Sequence, residues 1–443
     1  MQDWLWQSAT ELGRGIGDGS IDPVALTQTY LEAIDAHVFR DRIYSVVTHD
    51  RAMAEAKAAA ARAKAGFRLS PVDGVPISWK DLFDSAGTAT EAGSALLKGR
   101  VPDSDAWVLR NATAMGLVCL GKTHMSELAF SGLGLNPVTA TSPCVNDHDA
   151  VSGGSSSGAA TSVAFGLAAC GIGSDTGGSV RIPSAWNDLV GLKTTSGRIP
   201  LTGVVPLAKT FDTVGPLCRS VEDAAMMLAM LEGARPADLR GATLKGKRFA
   251  ALQTVVLNNI RPEPLAAYNT ALDKLKDAGA IIEPLEVPEV VDAMNLAGPL
   301  FPTEAYGEWR DVIEAAPHLM FDRILARFRG GAEFSAPDYV HAWNVLNVAR
   351  AQWVQRATGF DAVLAPTSPI LPPHADRLIE DQEYYVTENI MALQNTRVGN
   401  LMGLCAVTLP TGVPSCGITF NGLPMQEERL LRLTAAAEPV LRA

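Results

Sequence analysis

The sequence predicts an α/β fold, built as one large domain in which helices cover both faces of a central sheet. Short apolar runs that suit buried strands alternate with segments that have a helical pattern. No internal repeat and no low-complexity linker divides the 443 residues, so we expect a single domain over 1–443. An apolar fraction of 47% and a charged fraction of 19% are typical of a globular chain.

Five short apolar runs are predicted to be buried strands. The first, over 117–120, lies between Gly116 and Gly121, as expected for a strand bounded by turns. The other four runs are 249–252, 280–282, 362–364 and 406–409.

Helical patterns fill much of the remaining chain. Asp22 and Pro23 begin one helix that runs to about residue 37, as an N-cap followed by proline at the first helical position. An alanine-rich helix over 50–65 ends at Gly66. Further helices are predicted over 104–115, 221–232, 265–278, 338–357 and 425–438. Residues 286–340, rich in Pro, Phe and acidic side chains, are expected to form an insertion near a substrate entrance.

The chain is acidic, with a formal net charge of −11 and a pI of about 5.2. Such a surface repels nucleic acid, and no run of Lys and Arg concentrates positive charge. The N-terminal residues lack the pattern of a secretory signal, and no apolar stretch approaches the roughly 20 residues that span a bilayer. We therefore expect a cytoplasmic protein that acts on a small molecule, without a nucleic-acid or membrane partner.

Cysteine and histidine give no indication of a metal site. The six cysteines contain no C-x-x-C pair, and several lie in apolar surroundings, so buried free thiols are expected. No H-E-x-x-H motif or cluster of His and Cys is present in the sequence. The predicted chemistry therefore uses no metal.

Two glycine-rich turns that carry serine are the most informative feature. The first is GGSSSG over 153–158, with Ser155, and the second is GSDTGGS over 173–179, with Ser179. A helix-like stretch to Ala169 separates them. Such turns present backbone N–H groups that can stabilise an anion. The alternative is two tight turns without chemistry, which is less expected for a pair flanking one helix.

Two other motifs fit these turns less well. A phosphate-binding loop requires G-x-x-x-x-G-K-[ST], and neither turn has the Lys that precedes Ser or Thr. The segment over 154–158 matches the nucleophile elbow G-x-S-x-G with Ser156 at its centre. That motif should follow a buried strand, whereas residues 141–152 are largely polar and have the composition of a loop.

Lys80 is a candidate general base. It lies in GVPISWKDLF over 74–83, among largely apolar residues, and burial favours the neutral form of lysine. The alternative is a buried ion pair with Asp81 or another carboxylate. Seven histidines are also present, but none has an evident catalytic partner in the sequence: His37, His49, His124, His148, His318, His341 and His374.

These residues together resemble the amidase signature family. The motifs that carry the resemblance are GVPISWKD over 74–81, GGSSSG over 153–158, GSDTGGSVRIP over 173–183 and GLK over 191–193. The resemblance is strongest over 60–210, which it implies is the catalytic core. It also implies a mixed, twisted central sheet covered by helices. The chain departs from the usual family pattern at SAWND over 184–188 and at Thr194 and Thr195.

The resemblance implies the roles of the site residues. Ser179 would be the nucleophile, Ser155 the bridging serine that follows a cis peptide bond, and Lys80 the base. The oxyanion hole would consist of four backbone N–H groups: Thr176, Gly177, Gly178 and Ser179. Three residues would support the turns: Ser156, Asp175 and Arg181. An alternative role for Arg181 is to bind a substrate carboxylate. No cofactor is implied.

The predicted function is hydrolysis of a C–N amide bond in a small carboxamide, anilide or urea-like compound. A GatA-like glutaminase subunit of a tRNA-dependent amidotransferase is an alternative, although such subunits usually have a longer C-terminal region. A non-catalytic binding protein on the same scaffold is a second alternative, which retention of the three residues argues against. Candidate pocket residues are Met125, Phe130, Trp186 and residues of 300–345. A homodimer is left open as the assembly.

Overall fold

Sixteen α-helices and eleven strands make up most of residues 2–443, the part of the chain that the computed structural model describes. The helices are α1 (Ala9–Asp18), α2 (Pro23–Ala36), α3 (Arg40–Ile43), α4 (His49–Lys64), α5 (Trp107–Ala114), α6 (Ser157–Ala164), α7 (Arg181–Trp186), α8 (Val221–Glu232), α9 (Pro262–Asp277), α10 (Glu289–Asn295), α11 (Ala297–Ala315), α12 (Asp322–Arg329), α13 (Ala336–Ala357), α14 (Ala375–Glu380), α15 (Gln382–Leu401) and α16 (Glu427–Arg442). The strands are β1 (Tyr44–Val47), β2 (Pro76–Lys80), β3 (Val118–Thr123), β4 (Cys170–Ser174), β5 (Val190–Lys193), β6 (Val214–Cys218), β7 (Arg248–Leu252), β8 (Ile281–Leu285), β9 (Ala362–Pro366), β10 (Cys405–Pro410) and β11 (Gly417–Gly422).

All eleven strands form one mixed sheet in the order β1-β3-β2-β4-β6-β5-β10-β11-β9-β7-β8. Strand β2 pairs in parallel with β3 and with β4, and β7 pairs in parallel with β8 and β9. The other neighbours are antiparallel. Strands β2, β3, β4, β6, β9 and β10 are buried along their whole length, as expected where helices cover the sheet. The chain is a single α/β domain, which confirms the predicted fold class.

The parallel strands β2, β3 and β4 end at the same edge of the sheet. Lys80 is the last residue of β2 and Ser174 is the last residue of β4. The two glycine-rich turns lie beside this edge, because Ser155 accepts a hydrogen bond from Lys80 and the turn with Ser179 follows β4. In α/β sheets, ligands commonly bind beyond the carboxyl ends of parallel strands. The topology thus brings together residues that are up to 99 positions apart in the chain, from Lys80 to Ser179.

Local signals at the helix ends agree with the structure. The Asp22 carboxylate accepts hydrogen bonds from the N–H groups of Val24 and Ala25, both at 2.9 Å, and Pro23 is the first residue of α2, as predicted. The helix after the first serine turn ends at Ala164 rather than Ala169. Gly166 has a φ of +74°, a left-handed conformation that ends helices.

The five predicted strands are all present, but one is not buried. Residues 280–282 fall largely in β8, the edge strand of the sheet, where the Ile281 side chain is 49% exposed. The apolar run predicted its strand character correctly and its burial wrongly. Position in the sheet decides burial, and a short apolar run does not encode that position.

Residues 286–340 form α10, α11, α12 and the start of α13. Phe301 of α11 packs against Phe211, with ring centroids 4.3 Å apart. The backbone N–H of Phe321, just before α12, donates to Glu127 Oε2 at 2.9 Å. These contacts attach the segment to the domain near both serine turns.

All six cysteines are buried free thiols, as predicted. Cys170 and Cys218 lie on the paired strands β4 and β6 with their sulfur atoms 3.0 Å apart. None of the helices in residues 2–443 has the length and hydropathy needed to cross a bilayer.

Candidate active site

Lys80 lies at the carboxyl end of β2 with its side chain fully buried. Its Nζ donates to Ser155 Oγ at 2.7 Å and to Ser174 Oγ at 2.9 Å. Burial lowers the pKa of Lys80 to about 7, and the charges of Asp212 and Asp175 oppose this only in part. Lys80 is therefore readily available in its neutral, proton-accepting form near pH 7.

The alternative ion pair between Lys80 and Asp81 does not form. Asp81 Oδ1 lies 3.3 Å from the ammonium group of Lys122, a lysine of β3 that is also buried. Among residues 2–443, no carboxylate lies within ion-pair distance of Lys80 Nζ, and its two hydrogen-bond partners are hydroxyl groups. Successive residues of a strand point to opposite faces, which separates Lys80 from Asp81.

Ser155 precedes α6, and the peptide bond between Gly154 and Ser155 is cis. Glycine is required at position 154, because a Cβ atom there would lie 2.6 Å from Ser126 Oγ and from the Gly134 nitrogen. The next residue, Ser156, donates its hydroxyl to the Ser174 carbonyl at 3.1 Å. Ser156 thereby ties the first serine turn to the end of β4.

Ser179 lies in the turn between β4 and α7, and 3% of its surface is exposed. It lines a small cavity whose empty space, with the open solvent at its mouth included, is about 320 Å³. Its carbonyl accepts a hydrogen bond from the Ser156 N–H at 3.3 Å, which joins the two serine turns. Within the described chain, no hydrogen bond connects the hydroxyls of Ser155 and Ser179. Lys80 and Ser155 are thus directly linked, and Ser179 is beside them with its hydroxyl unpaired.

Asp175 organises the second turn. Its carboxylate accepts hydrogen bonds from the N–H groups of Gly178 at 2.8 Å and Val180 at 3.2 Å. Arg181 approaches the same carboxylate with Nε and Nη2, both at 3.0 Å. Burial alone would raise the pKa of Asp175, but Arg181 together with weaker contributions lowers it far below its ordinary value. Asp175 is therefore a fixed anion that shapes the turn.

Three backbone N–H groups of this turn remain free to bind an oxyanion. The Gly178 N–H donates to Asp175 and is already occupied. The N–H groups of Thr176, Gly177 and Ser179 have no acceptor among residues 2–443. Gly178 has a φ of +139°, a conformation that favours glycine. Of the four expected donors, only the Gly178 N–H is therefore not free for an oxyanion, because the Asp175 carboxylate accepts its hydrogen bond.

Arg181 is fully buried and turned away from the cavity. Besides Asp175, its guanidinium donates to the Thr396 carbonyl at 2.7 Å and to Asn400 Oδ1 at 2.6 Å. These partners, on α15, hold that helix against the turn. The alternative role of Arg181 in binding a substrate carboxylate does not agree with this geometry, because the guanidinium is absent from the cavity wall.

The cavity beside Ser179 has a wall that is partly apolar and partly basic. The lining residues are Ala129, Phe130, Ser131, Thr176, Gly177, Ser179, Leu207, Phe301, Arg327, Leu393 and Arg397. Phe130 belongs to the wall, whereas Met125 and Trp186 do not. Met125 is fully buried in the main core, and Trp186 packs in a second core cluster with its Nε1 donating to the Ile370 carbonyl at 3.2 Å. Their size and apolar character fit packing as well as a pocket, so sequence alone could not separate the two.

Three residues near the site, Ser174, Asp212 and Arg397, were not singled out from the sequence, and Arg327 was included only within the candidate range 300–345. Ser174 was visible as part of the second turn, but only the pairing of β2 with β4 brings it to Lys80. Asp212 accepts the Thr176 hydroxyl at 2.5 Å from a segment with no recognisable motif. Arg327 and Arg397 come from α12 and α15, and nothing in their sequence neighbourhood distinguishes them from surface arginines. No grouping of three or more His, Cys, Asp and Glu suited to a metal occurs within residues 2–443.

Comparisons with known proteins agree with the resemblance to amidases seen in the sequence. A protein-family model described as Amidase matches residues 25–431. The chain is 34% identical over 426 residues to a 2-amino-5-chloromuconic acid deaminase of Comamonas testosteroni, covering 90% of this chain and 89% of that protein. It is 31% identical to a glutamyl-tRNA(Gln) amidotransferase subunit of Anaeromyxobacter sp. (strain K), covering 97% of this chain and 95% of that protein.

The fold is also similar to that of solved structures. A crystal structure described as an amidase superposes with a TM-score of 0.88 at 26% sequence identity, covering 98% of this chain and 99% of that one. The likeness therefore extends over the whole sheet and its helices.

Proposed function

The chain belongs to the amidase family and is a hydrolase of C–N bonds, and on that premise we propose a mechanism in which Ser179 forms an acyl-enzyme. The substrate would be a small carboxamide, anilide or urea-like compound. The observation that carries the proposal is the 2.7 Å hydrogen bond from the buried Lys80 Nζ to Ser155 Oγ, beside the cavity that Ser179 lines.

Proton transfer would run through Ser155. Neutral Lys80 accepts the Ser155 hydroxyl proton, and Ser155 accepts the proton of Ser179 as Ser179 Oγ attacks the amide carbonyl. We expect the Ser179 hydroxyl to turn toward Ser155 Oγ when substrate binds, since catalytic hydrogen bonds often tighten only in the complex. Collapse of the tetrahedral intermediate breaks the C–N bond, and the proton returns from Lys80 through Ser155 to the leaving nitrogen. Water then hydrolyses the ester to release the acid.

The negative charge on the carbonyl oxygen would be stabilised by the N–H groups of Thr176, Gly177 and Ser179, which have no acceptor among residues 2–443. Losing one such donor typically costs about 3 kcal/mol of transition-state stabilisation. Asp175 and Arg181 would act as positioning residues that hold these N–H groups in one orientation.

A fluorophosphonate probe followed by peptide mapping tests the nucleophile. We expect a single label on Ser179 in the full-length protein, and no label in Ser179→Ala. The matched control is Ser184→Ala, which removes a buried hydroxyl of α7 that has no hydrogen-bond partner in the described chain. Labelling of another serine, or amide hydrolysis that survives in Ser179→Ala, would contradict the proposed mechanism.

A glutaminase subunit of an amidotransferase is less favoured. The amidotransferase relative is 31% identical, whereas the deaminase is 34% identical. Copurification with partner subunits and glutaminase activity that depends on them would support the subunit. Hydrolysis of amides by the purified chain alone would support a stand-alone amidase, and would exclude a non-catalytic binding protein.

Deamination of an amino-substituted unsaturated acid is a second candidate, because one relative is a 2-amino-5-chloromuconic acid deaminase. Ammonia release from 2-amino-5-chloromuconic acid and from a simple carboxamide, measured side by side, separates the two candidates. We expect Ser179→Ala to abolish whichever activity is present.

We also propose that α11 and α12 border the substrate entrance. Phe301 of α11 and Arg327 of α12 belong to the wall of the Ser179 cavity. Four expectations stay predictions: that residues 286–340 are an insertion, that the protein is cytoplasmic, that it assembles as a homodimer and that catalysis uses no cofactor.

A further inference from the structure

Two arginines line both the Ser179 cavity and a larger neighbouring cavity. The larger cavity, of about 810 Å³, shares Phe301, Arg327 and Arg397 with the cavity that contains Ser179. Both arginines therefore border the space beside Ser179. The lining of the smaller cavity contains no carboxylate side chain.

Arg397 comes from α15 and lies directly beside the turn that carries the free N–H groups. A Cβ atom added to Gly177 would lie 3.9 Å from Arg397 Cγ, so the aliphatic stem of Arg397 runs along the Gly177 backbone. The preceding residue, Thr396, donates its hydroxyl to the Gly177 carbonyl at 2.7 Å and fixes the helix there. The guanidinium of the half-buried Arg397 makes no hydrogen bond and no ion pair with any residue of 2–443.

Arg327 approaches the same space from α12. Its guanidinium carbon lies 4.3 Å from the centre of the Phe130 ring, and Nη1 donates to the Phe130 carbonyl at 3.0 Å. A ring face and a neutral carbonyl orient the side chain but do not neutralise its charge. No carboxylate among the described residues pairs with Arg327, so most of its five N–H donors remain available.

The two charges are therefore uncompensated. Burial and the neighbouring charge of Arg327 both lower the pKa of Arg397, which is the direction expected when no anion is near. By contrast, the buried Arg181 has Asp175 as a bidentate partner. The chain as a whole carries a net charge of −11, so this positive cavity differs from the average surface. An anion between the guanidinium groups would relieve their repulsion and form charge-assisted hydrogen bonds.

We propose that Arg397 and Arg327 bind a carboxylate of the substrate, so that the enzyme prefers amides that carry an acid group. This inference rests on the proposed role of Ser179 as nucleophile. Arginine presents a planar pair of donors that matches a carboxylate, and the stem of Arg397 beside Gly177 puts that pair close to the reacting carbonyl. The substrate class is thus a short amide with a free carboxylate near the scissile bond.

Matched substrate pairs test the preference. Succinamic and glutaramic acids are compared with the amides that have a methyl group in place of the carboxylate, and kcat/KM is measured from ammonia release. We expect the acid to be favoured over its neutral partner by roughly ten- to a hundredfold, the discrimination that hydrogen bonds to a charged group provide. Arg397→Met and Arg327→Met should each reduce this ratio, and Arg397→Lys should restore part of it.

Arg329→Met is the matched control. It removes the same charge from α12, but Arg329 pairs with Glu314 at 2.7 Å on the exposed side of the helix and does not line either cavity. Its acid-to-neutral ratio should equal that of the wild type. Equal kcat/KM for acid and neutral amides in the wild type, or an unchanged ratio in both methionine variants, overturns the proposal.

A protection experiment gives an answer that does not depend on turnover. Glutarate should slow fluorophosphonate labelling of Ser179 in the wild type, whereas its neutral diamide should not. The protection should be lost in Arg397→Met and kept in Arg329→Met. Equal protection by both compounds, or by neither, refutes carboxylate binding while leaving Ser179 as the nucleophile. Absence of labelling at Ser179 would instead refute the proposed function.

Discussion

Replacing Asp212 with Asn should move the acid limb of the pH–rate profile to lower pH. Lys80 must be neutral to accept a proton, and burial lowers its pKa to about 7. Asp212 is the largest opposing influence, because its negative charge stabilises the protonated lysine. Removing that charge should therefore lower the pKa of Lys80 further and keep the enzyme active in more acidic solution.

The magnitude follows from the pKa of Lys80 in the wild-type protein. With a pKa of about 7, roughly one-tenth of Lys80 is neutral at pH 6, so kcat/KM there should be about a tenth of its plateau. Asp212→Asn should retain a larger fraction of its own plateau at that pH. The plateau itself is not the readout, because Asp212 also accepts the Thr176 hydroxyl at 2.5 Å and the Leu207 N–H at 2.9 Å.

The assay is kcat/KM for one amide substrate between about pH 5 and about pH 9, with unfolding midpoints measured in parallel. Asp273→Asn is the control, because it removes one charge from an exposed residue of α9 that pairs with Lys276. Its acid limb should coincide with that of the wild type. An acid limb of Asp212→Asn at the wild-type pH, or at higher pH, would show that the charge of Asp212 does not raise the pKa of Lys80.

Three further changes have predictable outcomes. Lys80→Met should be inactive, yet near pH 6 it should melt at a higher temperature than the wild type. The reason is that the folded protein lowers the pKa of Lys80 from 10.5 to about 7, so the charged lysine reduces the free energy of unfolding by about 5 kcal/mol at that pH. Between pH 7 and pH 10.5 the unfolded chain binds this proton and the folded protein does not, so wild-type stability rises with pH. The difference in melting temperature between Lys80→Met and the wild type should therefore shrink over this range. A variant that melts below the wild type at pH 6 would contradict this. Gly178→Ala should lose about 2 kcal/mol or more of folding free energy, measured by urea unfolding, because its Cβ would lie 2.1 Å from Thr396 Oγ1 at a φ of +139°. Arg181→Lys should destabilise the fold by about 3 kcal/mol, since lysine cannot replace the bidentate contact with Asp175, and an unchanged denaturation midpoint would refute that role.

Much of the fold was readable in the sequence. The apolar runs at β3, β7, β9 and β10 coincide with buried strands, because a strand covered on both faces needs apolar residues at successive positions. The start of α2 was readable for a local reason, since Asp22 caps the helix and Pro23 fits its first turn. The helices within 286–340 were not readable, and Pro302 inside α11 obscured their pattern.

The residues of the candidate site were likewise predictable only in part. Lys80, Ser155 and Ser179 were named from the sequence because their motifs impose local backbone geometry, with glycine wherever the chain makes a close approach. Ser174 and Asp212 were missed, since their relation to Lys80 depends on strand pairing and on a return of the chain. Phe130 lies in the cavity wall, while Met125 and Trp186 lie in the core, and all three are apolar residues of similar expected burial.

By itself, the sequence determined the α/β class, the two serine turns and a lysine in an apolar setting. These are consequences of residue type and short spacing, which act over a few positions. The tertiary structure alone decided which groups face the cavity and which charges are paired. Asp175 forms an ion pair with Arg181 and Asp81 with Lys122, whereas Arg327 and Arg397 have no carboxylate partner among the described residues. The physical reason is that a charge is compensated by whatever group the fold brings within a few ångströms, and those groups come from helices and strands far apart in the chain.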